Sequence, residues 1–111
     1  MEETFAISVR HAEGATVVAV HGEIDIATAP QLREHLAAAI AGGTPVVADL
    51  LGVTFLDSTA LGALIGGLRA SREVDVPLRL VVADPRILKV FQITGLDTVF
   101  TLVSTLDEAL A

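Results

Sequence analysis

Residues 49–67 read DLLGVTFLDSTALGALIGG, a stretch that combines a strand, a loop and the start of a helix. The near-continuous apolar run over residues 46–51 is typical of a strand that is buried on both faces of a sheet. Asp57 and Ser58 favour a helix start, because their side-chain oxygens accept hydrogen bonds from free backbone amides. Apolar residues then recur every three or four positions, so a helix is predicted over residues 58–72.

Strand and helix signals continue on both sides of this stretch. Glu13-Gly14 is a turn signal, and the polar residues 21–26 are predicted to form a loop. Capping-box spacing relates Thr28 to Gln31 and Thr105 to Glu108. The predicted elements, in order, are strands at 5–10 and 16–20, a helix at 28–42, a strand at 46–51, a helix at 58–72, a strand at 78–82, a helix at 84–95, a strand at 98–103 and a short C-terminal helix after residue 105.

This order, β-β-α-β-α-β-α-β-α, predicts the fold class. The two opening strands are expected to form an antiparallel hairpin, and each later strand–helix–strand unit implies parallel pairing with a right-handed crossover. We therefore expect an α/β fold, a mixed β-sheet packed by about four helices. With 111 residues, the chain is expected to form one domain over residues 1–111.

Composition and charge narrow the possible functions. The chain is 52% hydrophobic and lacks cysteine, which argues against disorder, disulfides and thiolate metal sites. Its net charge of −7 would repel phosphate backbones, so no nucleic-acid partner is expected. The longest apolar run, residues 60–68, is far shorter than the ~20 residues of a membrane-spanning helix. Residues 1–4 lack the basic region of a secretion signal, so a cytoplasmic location is expected.

Ser58 is the strongest candidate for a regulatory site. A serine in the first turn of a helix is exposed, and a phosphate added there would meet free N–H groups and the positive end of the helix dipole. It would also add nearly two negative charges beside Asp57, which would alter docking without unfolding the chain. The other interpretation of Asp57 and Ser58 is an ordinary helix cap.

Three glycines within the predicted second helix are unusual. Gly62, Gly66 and Gly67 each cost roughly 1 kcal/mol relative to alanine in a helix interior. Glycines at such positions allow close approach of the backbone, either to the sheet or to a partner. Packing inside the domain is the expected reason for at least one of them.

Three motifs resemble those of the bacterial STAS-domain anti-sigma factor antagonists. They are GEID at residues 22–25, DSTALG at residues 57–62 and VFQITGLD at residues 90–97. The resemblance covers essentially the whole chain, with the motifs in order and at the usual spacing. The chain departs from many members at Thr59-Ala60, where those have Ser-Gly, and this departure supplies a second hydroxyl.

The resemblance implies a partner-switching mechanism without catalysis by this chain. The unphosphorylated protein would bind an anti-sigma factor that is also an ATP-dependent serine kinase, and this capture would free a sigma factor. The kinase would phosphorylate Ser58, which aligns with the phosphorylated serine of the family, and the complex would dissociate. A phosphoserine phosphatase would restore the active form. Thr59 is the alternative acceptor. The implied partner-binding residues are Gly22, Glu23, Asp25, Asp57, Ser58, Thr59 and Gly62, although Asp25 could instead be only a turn or cap residue.

Two alternatives lie outside this family. Asp25, Asp57 and Lys89 superficially resemble the acidic residues and lysine of a response-regulator receiver, but receivers begin with an alternating β-α unit rather than a hairpin. An enzyme is the second alternative. The three histidines are not paired at metal-ligand spacing, phosphate-loop and nucleophile-elbow motifs are absent, and Ser58 has no base close in sequence. We therefore expect no catalytic residue, metal or cofactor.

A third alternative lies within the family. STAS domains also serve as non-switching adaptors in stress-sensing and lipid-transport complexes. Such an adaptor would share the fold but would not depend on Ser58. The partner that co-purifies with the protein, an anti-sigma kinase or a transporter ATPase, would distinguish the two functions.

Overall fold

The computed structural model describes residues 5–111, and their elements follow the predicted order. Residues 1–4, on which the expectation of no secretion signal rests, lie outside the described residues. The elements are β1 (Ala6–Ala12), β2 (Ala15–Ile24), α1 (Ala29–Ala41), β3 (Val46–Leu56), α2 (Ser58–Glu73), β4 (Leu78–Val81), α3 (Pro85–Ile93), a 3₁₀ helix (Leu96–Thr98), β5 (Thr101–Val103) and α4 (Leu106–Leu110).

The five strands form one mixed sheet in the order β1-β2-β3-β4-β5. Glu13 and Gly14 join the antiparallel strands β1 and β2, with positive φ angles of 50° and 80°. Two consecutive residues of this kind form the type I′ turn that matches the twist of a tight hairpin. The strands from β2 to β5 are parallel and are connected through helices. The expected α/β fold with a mixed sheet is therefore confirmed.

Helices pack on both faces of the sheet, but unequally. On one face, α1, α2 and α3 bury the main core, in which the rings of Phe91 and Phe100 meet edge to face at 5.9 Å. On the other face, α4 packs through Ala109 against Val17, Val47 and Val81. The helix α4 is only five residues long, and Leu51 and Phe55 in the C-terminal half of β3 are each 48% exposed.

Two strands run further than the sequence predicts. β2 continues to Ile24, so the predicted loop is wrong for residues 21–24, and β3 continues to Leu56 instead of ending at residue 51. Ile24 pairs with Leu56 in the parallel ladder, and both side chains are buried in the core. Burial of these apolar side chains outweighs the local preference of the polar residues around them for a loop.

The predicted caps have mixed outcomes. The capping box of Thr105 and Glu108 is confirmed. The box of Thr28 and Gln31 is wrong, because the Thr28 side chain makes no cap hydrogen bond and turns back toward the end of β2. The last strand begins at residue 101 rather than 98, because Gly95 with a φ of 74° ends α3 and a 3₁₀ helix follows it.

Candidate functional site

The ends of β2 and β3 bring together the two segments that the sequence singles out. Gly22 pairs with Val53 and Glu23 pairs with Phe55, at the C-terminal ends of two neighbouring parallel strands. One residue further, the Asp57 amide donates a hydrogen bond to the Ile24 carbonyl oxygen over 3.3 Å. Residues 22–25 therefore lie beside the start of α2. We call this edge of the molecule, residues 22–28 together with residues 57–62, the switch edge.

Asp57 is the N-cap of α2. Its Oδ1 accepts hydrogen bonds from the amides of Thr59 and Ala60, over 2.9 and 3.1 Å. The Thr59 hydroxyl donates to the same oxygen. The Thr59 hydroxyl, followed by the Ala60 amide, lowers the pKa of the Asp57 carboxyl below its ordinary value. The carboxylate is therefore ionised near neutral pH and fixed against the first turn of the helix.

The two adjacent hydroxyls at this helix start have different surroundings. Ser58 is exposed, and within residues 5–111 its hydroxyl makes no hydrogen bond. Thr59 is half-buried, and its hydroxyl is engaged by Asp57. A reagent that approaches from solvent therefore meets the Ser58 hydroxyl first. The Thr59 hydroxyl becomes available only if it leaves Asp57.

Asp25 organises the turn between β2 and α1. Its Oδ1 accepts hydrogen bonds from the amides of Ala27 and Thr28, over 3.0 and 3.1 Å. The Thr28 hydroxyl accepts from the Asp25 amide and lies 3.0 Å from the Glu23 carbonyl oxygen and 3.2 Å from Asp25 Oδ1. The interpretation of Asp25 as a turn residue is thus confirmed. Its contact with a partner stays a prediction.

The glycines of α2 fall into two groups. Gly62 and Gly66 are exposed and lie four and eight residues after Ser58 on the same side of the helix, and a Cβ atom added at either would have no neighbouring atom within 4 Å. Gly67 is buried, and a Cβ there would lie 3.1 Å from Leu36 Cδ1. Internal packing therefore accounts for Gly67. The backbone at Gly62 and Gly66 is exposed to solvent.

Two apolar side chains near this edge are absent from the set predicted from sequence. Ile26 is 77% exposed in the turn after β2, and Phe55 is 48% exposed near the end of β3. Their signal in the sequence is an apolar residue within a polar or terminal segment. The pairing of Glu23 with Phe55 places the end of β2 beside the end of β3.

The histidines do not converge on a site. His11 Nδ1 lies 3.2 Å from the Thr16 hydroxyl, His35 Nδ1 lies 2.7 Å from the Gln31 carbonyl oxygen, and the exposed His21 ring covers Gly52. Among residues 5–111, no group of three potential ligands is placed to hold a metal ion. The helices of the same residues include none long and apolar enough to cross a membrane.

A STAS domain family model matches residues 6–109, and the chain belongs to this family. It is 39% identical over 80 residues to an anti-sigma-B factor antagonist of Staphylococcus aureus (strain NCTC 8325 / PS 47), a match that covers 71% of this chain and 74% of the relative. A comparable relative in Staphylococcus epidermidis is 40% identical over 80 residues, with the same coverage.

Solved structures give the same family likeness. An anti-sigma factor antagonist from Mycobacterium paratuberculosis superimposes with a TM-score of 0.88 at 35% identity, covering 96% of this chain and 92% of that one. The Bacillus cell fate determinant SpoIIAA in its phosphorylated form superimposes with a TM-score of 0.71 at 26% identity, covering 95% and 96%. Together with the opening hairpin, this family membership contradicts the receiver alternative, and Asp57 is a helix cap in this fold.

Proposed function

We propose that this protein is an anti-sigma factor antagonist that is switched by phosphorylation of Ser58. In its unphosphorylated form it binds an anti-sigma factor that is also a serine kinase, and a sigma factor is freed. The observation that carries the proposal is the exposed Ser58 hydroxyl, which makes no hydrogen bond within residues 5–111 and lies at the start of α2 beside residues 22–25. The names of the similar proteins support the partner class.

The partner would supply the chemistry of the modification. ATP bound by the kinase donates its γ-phosphoryl group. The bond from phosphorus to the Ser58 oxygen forms as the bond to ADP breaks, and the hydroxyl proton leaves to a base of the partner or to solvent. A phosphatase later hydrolyses the phosphoserine. The present chain contributes an accessible acceptor and requires no cofactor, and the switch would operate in the cytoplasm.

The exposed backbone of α2 at Gly62 explains why one phosphate would be enough to end docking. A partner can approach closely over Gly62, because Gly62 is exposed and no atom of residues 5–111 lies within 4 Å of the position that its Cβ would take. A phosphate on Ser58, one turn earlier on the same side, would occupy part of this space and add about −1.5 to −2 charges next to Asp57. Both effects oppose a close, desolvated contact, since burying a charge at an interface without a partner for it is costly.

The test is phosphoryl transfer followed by mapping of the modified residue. We expect incubation with the cognate kinase and ATP to place one phosphate on Ser58, as read by mass spectrometry of peptides. Ser58→Ala should accept none, and the matched control Thr59→Val should still be modified. Phosphate on Thr59 in the parent protein would contradict the assignment of the site.

A capture experiment separates this function from that of a non-switching adaptor. Unmodified protein used as bait should retain an anti-sigma kinase. Recovery of a transporter ATPase instead, with equal yield from Ser58→Ala and Ser58→Asp baits, would support the adaptor. We expect Ser58→Ala to retain the kinase persistently and Ser58→Asp to retain it poorly, although aspartate carries about one charge where phosphate carries nearly two.

A further inference from the structure

The start of α2 is already occupied by a negatively charged group. A phosphate is normally stabilised at a helix N-terminus by the free amides of the first turn and by the helix dipole. Here the amides of Thr59 and Ala60 both donate to Asp57 Oδ1, over 2.9 and 3.1 Å. The phosphate of a modified Ser58 could use these amides only if the Asp57 carboxylate first moved away from them.

Displacement of Asp57 would break several bonds at once. The Thr59 hydroxyl donates to the same oxygen as the two amides, so three donors would lose their acceptor together. Hydrogen bonds from several donors to a charged acceptor are stronger than neutral ones, which favours a carboxylate that stays in place.

Few cations are available at this edge to neutralise a phosphate. The end of β2 contributes Glu23, the turn after it contributes Asp25, and the junction between β3 and α2 contributes Asp57. After β4, Asp84 is paired with the guanidinium of Arg86 over 2.8 Å. The remaining cations of the neighbouring helices lie further along them: Arg33 in the second turn of α1, Arg69 and Arg72 in the last turns of α2, and Lys89 in the second turn of α3.

We propose that Asp57 keeps the phosphate on Ser58 away from the amides of Thr59 and Ala60, so that the phosphate projects outward into solvent as a dianion. Asp57 is thus a positioning residue for the switch as well as a cap. This inference rests on the proposed function for the claim that Ser58 is phosphorylated. It replaces the expectation that free N–H groups would receive the phosphate, because Asp57 already uses two of them.

The inference predicts how the phosphate titrates. An outward phosphate near carboxylates should have a second pKa at or above that of phosphoserine in the same chain unfolded in urea. A phosphate seated on the amides should have a lower pKa, since hydrogen bonds to the dianion favour it. In Asp57→Ala the amides are free, and we expect the phosphate to move onto them and its pKa to fall by roughly half a unit or more.

The experiment installs phosphoserine at position 58 during translation, so that it needs no kinase. Phosphorus NMR gives the pKa of the phosphate in the parent protein, in Asp57→Ala and in the control Asp25→Asn, which removes a nearby charge but leaves the amides occupied. Proton–nitrogen spectra follow the amides of Thr59 and Ala60. We expect phosphorylation to shift these two amides strongly in Asp57→Ala only.

The parent protein alone can overturn the inference, even if Asp57→Ala fails to fold. A phosphate pKa below that of the unfolded reference, with large downfield shifts of the Thr59 and Ala60 amides, would mean that the phosphate had displaced Asp57. Failure of the proposed function would look different. In that case no kinase would modify Ser58, while the titration of the installed phosphoserine would be unchanged.

Discussion

At the scale of single residues, the start of α2 distinguishes two hydroxyls that are adjacent in sequence. Asp57 binds the Thr59 hydroxyl and leaves the Ser58 hydroxyl exposed. The same carboxylate holds the amides of Thr59 and Ala60. The Asp57 side chain therefore caps the helix and engages the Thr59 hydroxyl, one of the two potential phosphate acceptors. It leaves the Ser58 hydroxyl accessible to a kinase.

The lowered pKa of Asp57 predicts a pH dependence of stability. Because the folded state binds this proton more weakly than the unfolded state, the carboxylate stabilises the fold fully above its ordinary pKa of 3.8. That stabilisation is lost as the pH falls through the lower folded-state pKa. We expect Asp57→Asn to melt below the parent protein at neutral pH, and the gap to narrow below pH 3.8.

Thermal melts of both proteins across this pH range test the prediction. The pKa values of Asp84 and Glu108 are also lowered, by Arg86 and by Ser104 respectively, but these groups are the same in both proteins and cancel in the difference. A gap between the two melting temperatures that stays constant down to the lowest pH would contradict the assigned role of the Asp57 charge.

Asp25 carries a structural role that must be separated from docking. Its carboxylate accepts two backbone amides, so Asp25→Ala should lower the free energy of unfolding by about 0.5–2 kcal/mol, as other lost caps do. Asp25→Asn keeps an acceptor oxygen and should retain most of that stability. Urea denaturation measures both variants. An unchanged midpoint for Asp25→Ala would show that the turn does not depend on this side chain.

Asp25→Asn is then the variant suited to a docking test. If the charge of Asp25 contacts the kinase, binding or phosphorylation should weaken while the fold is preserved. Normal binding by this variant would assign Asp25 to the turn alone.

At the scale of elements, the glycines of α2 predict opposite outcomes on its two sides. Gly62→Ala and Gly66→Ala place a methyl group in open space, so each should raise the free energy of unfolding by about 0.5–1 kcal/mol. Gly67→Ala should gain less or lose stability, because its methyl group would lie 3.1 Å from Leu36 Cδ1. Equal stabilisation by all three variants, measured by urea denaturation, would contradict the distinction.

The same variants test the docking surface. A methyl group at Gly62 should weaken capture of the anti-sigma factor although it stabilises the fold. Gly67→Ala is the internal control, since Gly67 is buried. A loss of binding without a loss of stability is the pattern expected of a surface residue.

Local sequence signals predicted the elements better than their ends. The order of elements, the Glu13-Gly14 turn and the Asp57 cap follow from periodicity and turn chemistry. The extension of β2 through residues 21–24 does not, because it depends on pairing with a segment some thirty residues later in the chain. The turn of Thr28 toward Asp25 is a local contact, but the capping-box spacing from Thr28 to Gln31 is a competing local signal.

The site was predictable to a similar degree. The motifs placed residues 22–25 and 57–62 in one candidate surface, and the ladder between β2 and β3 brings them side by side. The exposed Ile26 and Phe55 and the occupied amides of α2 depend on three-dimensional contacts, so the motifs alone could not give them.

At the scale of the whole molecule, hydrogen bonds from β4 hold α4 on the sheet, outside the switch edge. Arg79 in β4 donates from Nη1 to the carbonyl oxygens of Ala109 and Ala111, over 2.8 and 3.2 Å. Arg79→Met keeps the aliphatic stem but removes these donors, and should lower the free energy of unfolding by about 0.5–1.5 kcal/mol. Hydrogen exchange should quicken in α4 and stay unchanged in the first turn of α2.

Arg10→Met, which removes an exposed arginine from β1, is the matched control. It should leave exchange in α4 unchanged. Equal exchange in α4 for the parent protein and Arg79→Met would show that apolar packing alone holds this helix on the sheet.

A single binding measurement decides whether a phosphate on Ser58 ends docking. Isothermal titration calorimetry would compare unmodified protein with protein fully phosphorylated at Ser58, each titrated into the same anti-sigma factor. We predict that phosphorylation weakens binding by roughly 100-fold or more, equivalent to about 2.7 kcal/mol. Equal affinity of the two forms would mean that phosphorylation of Ser58 does not control docking.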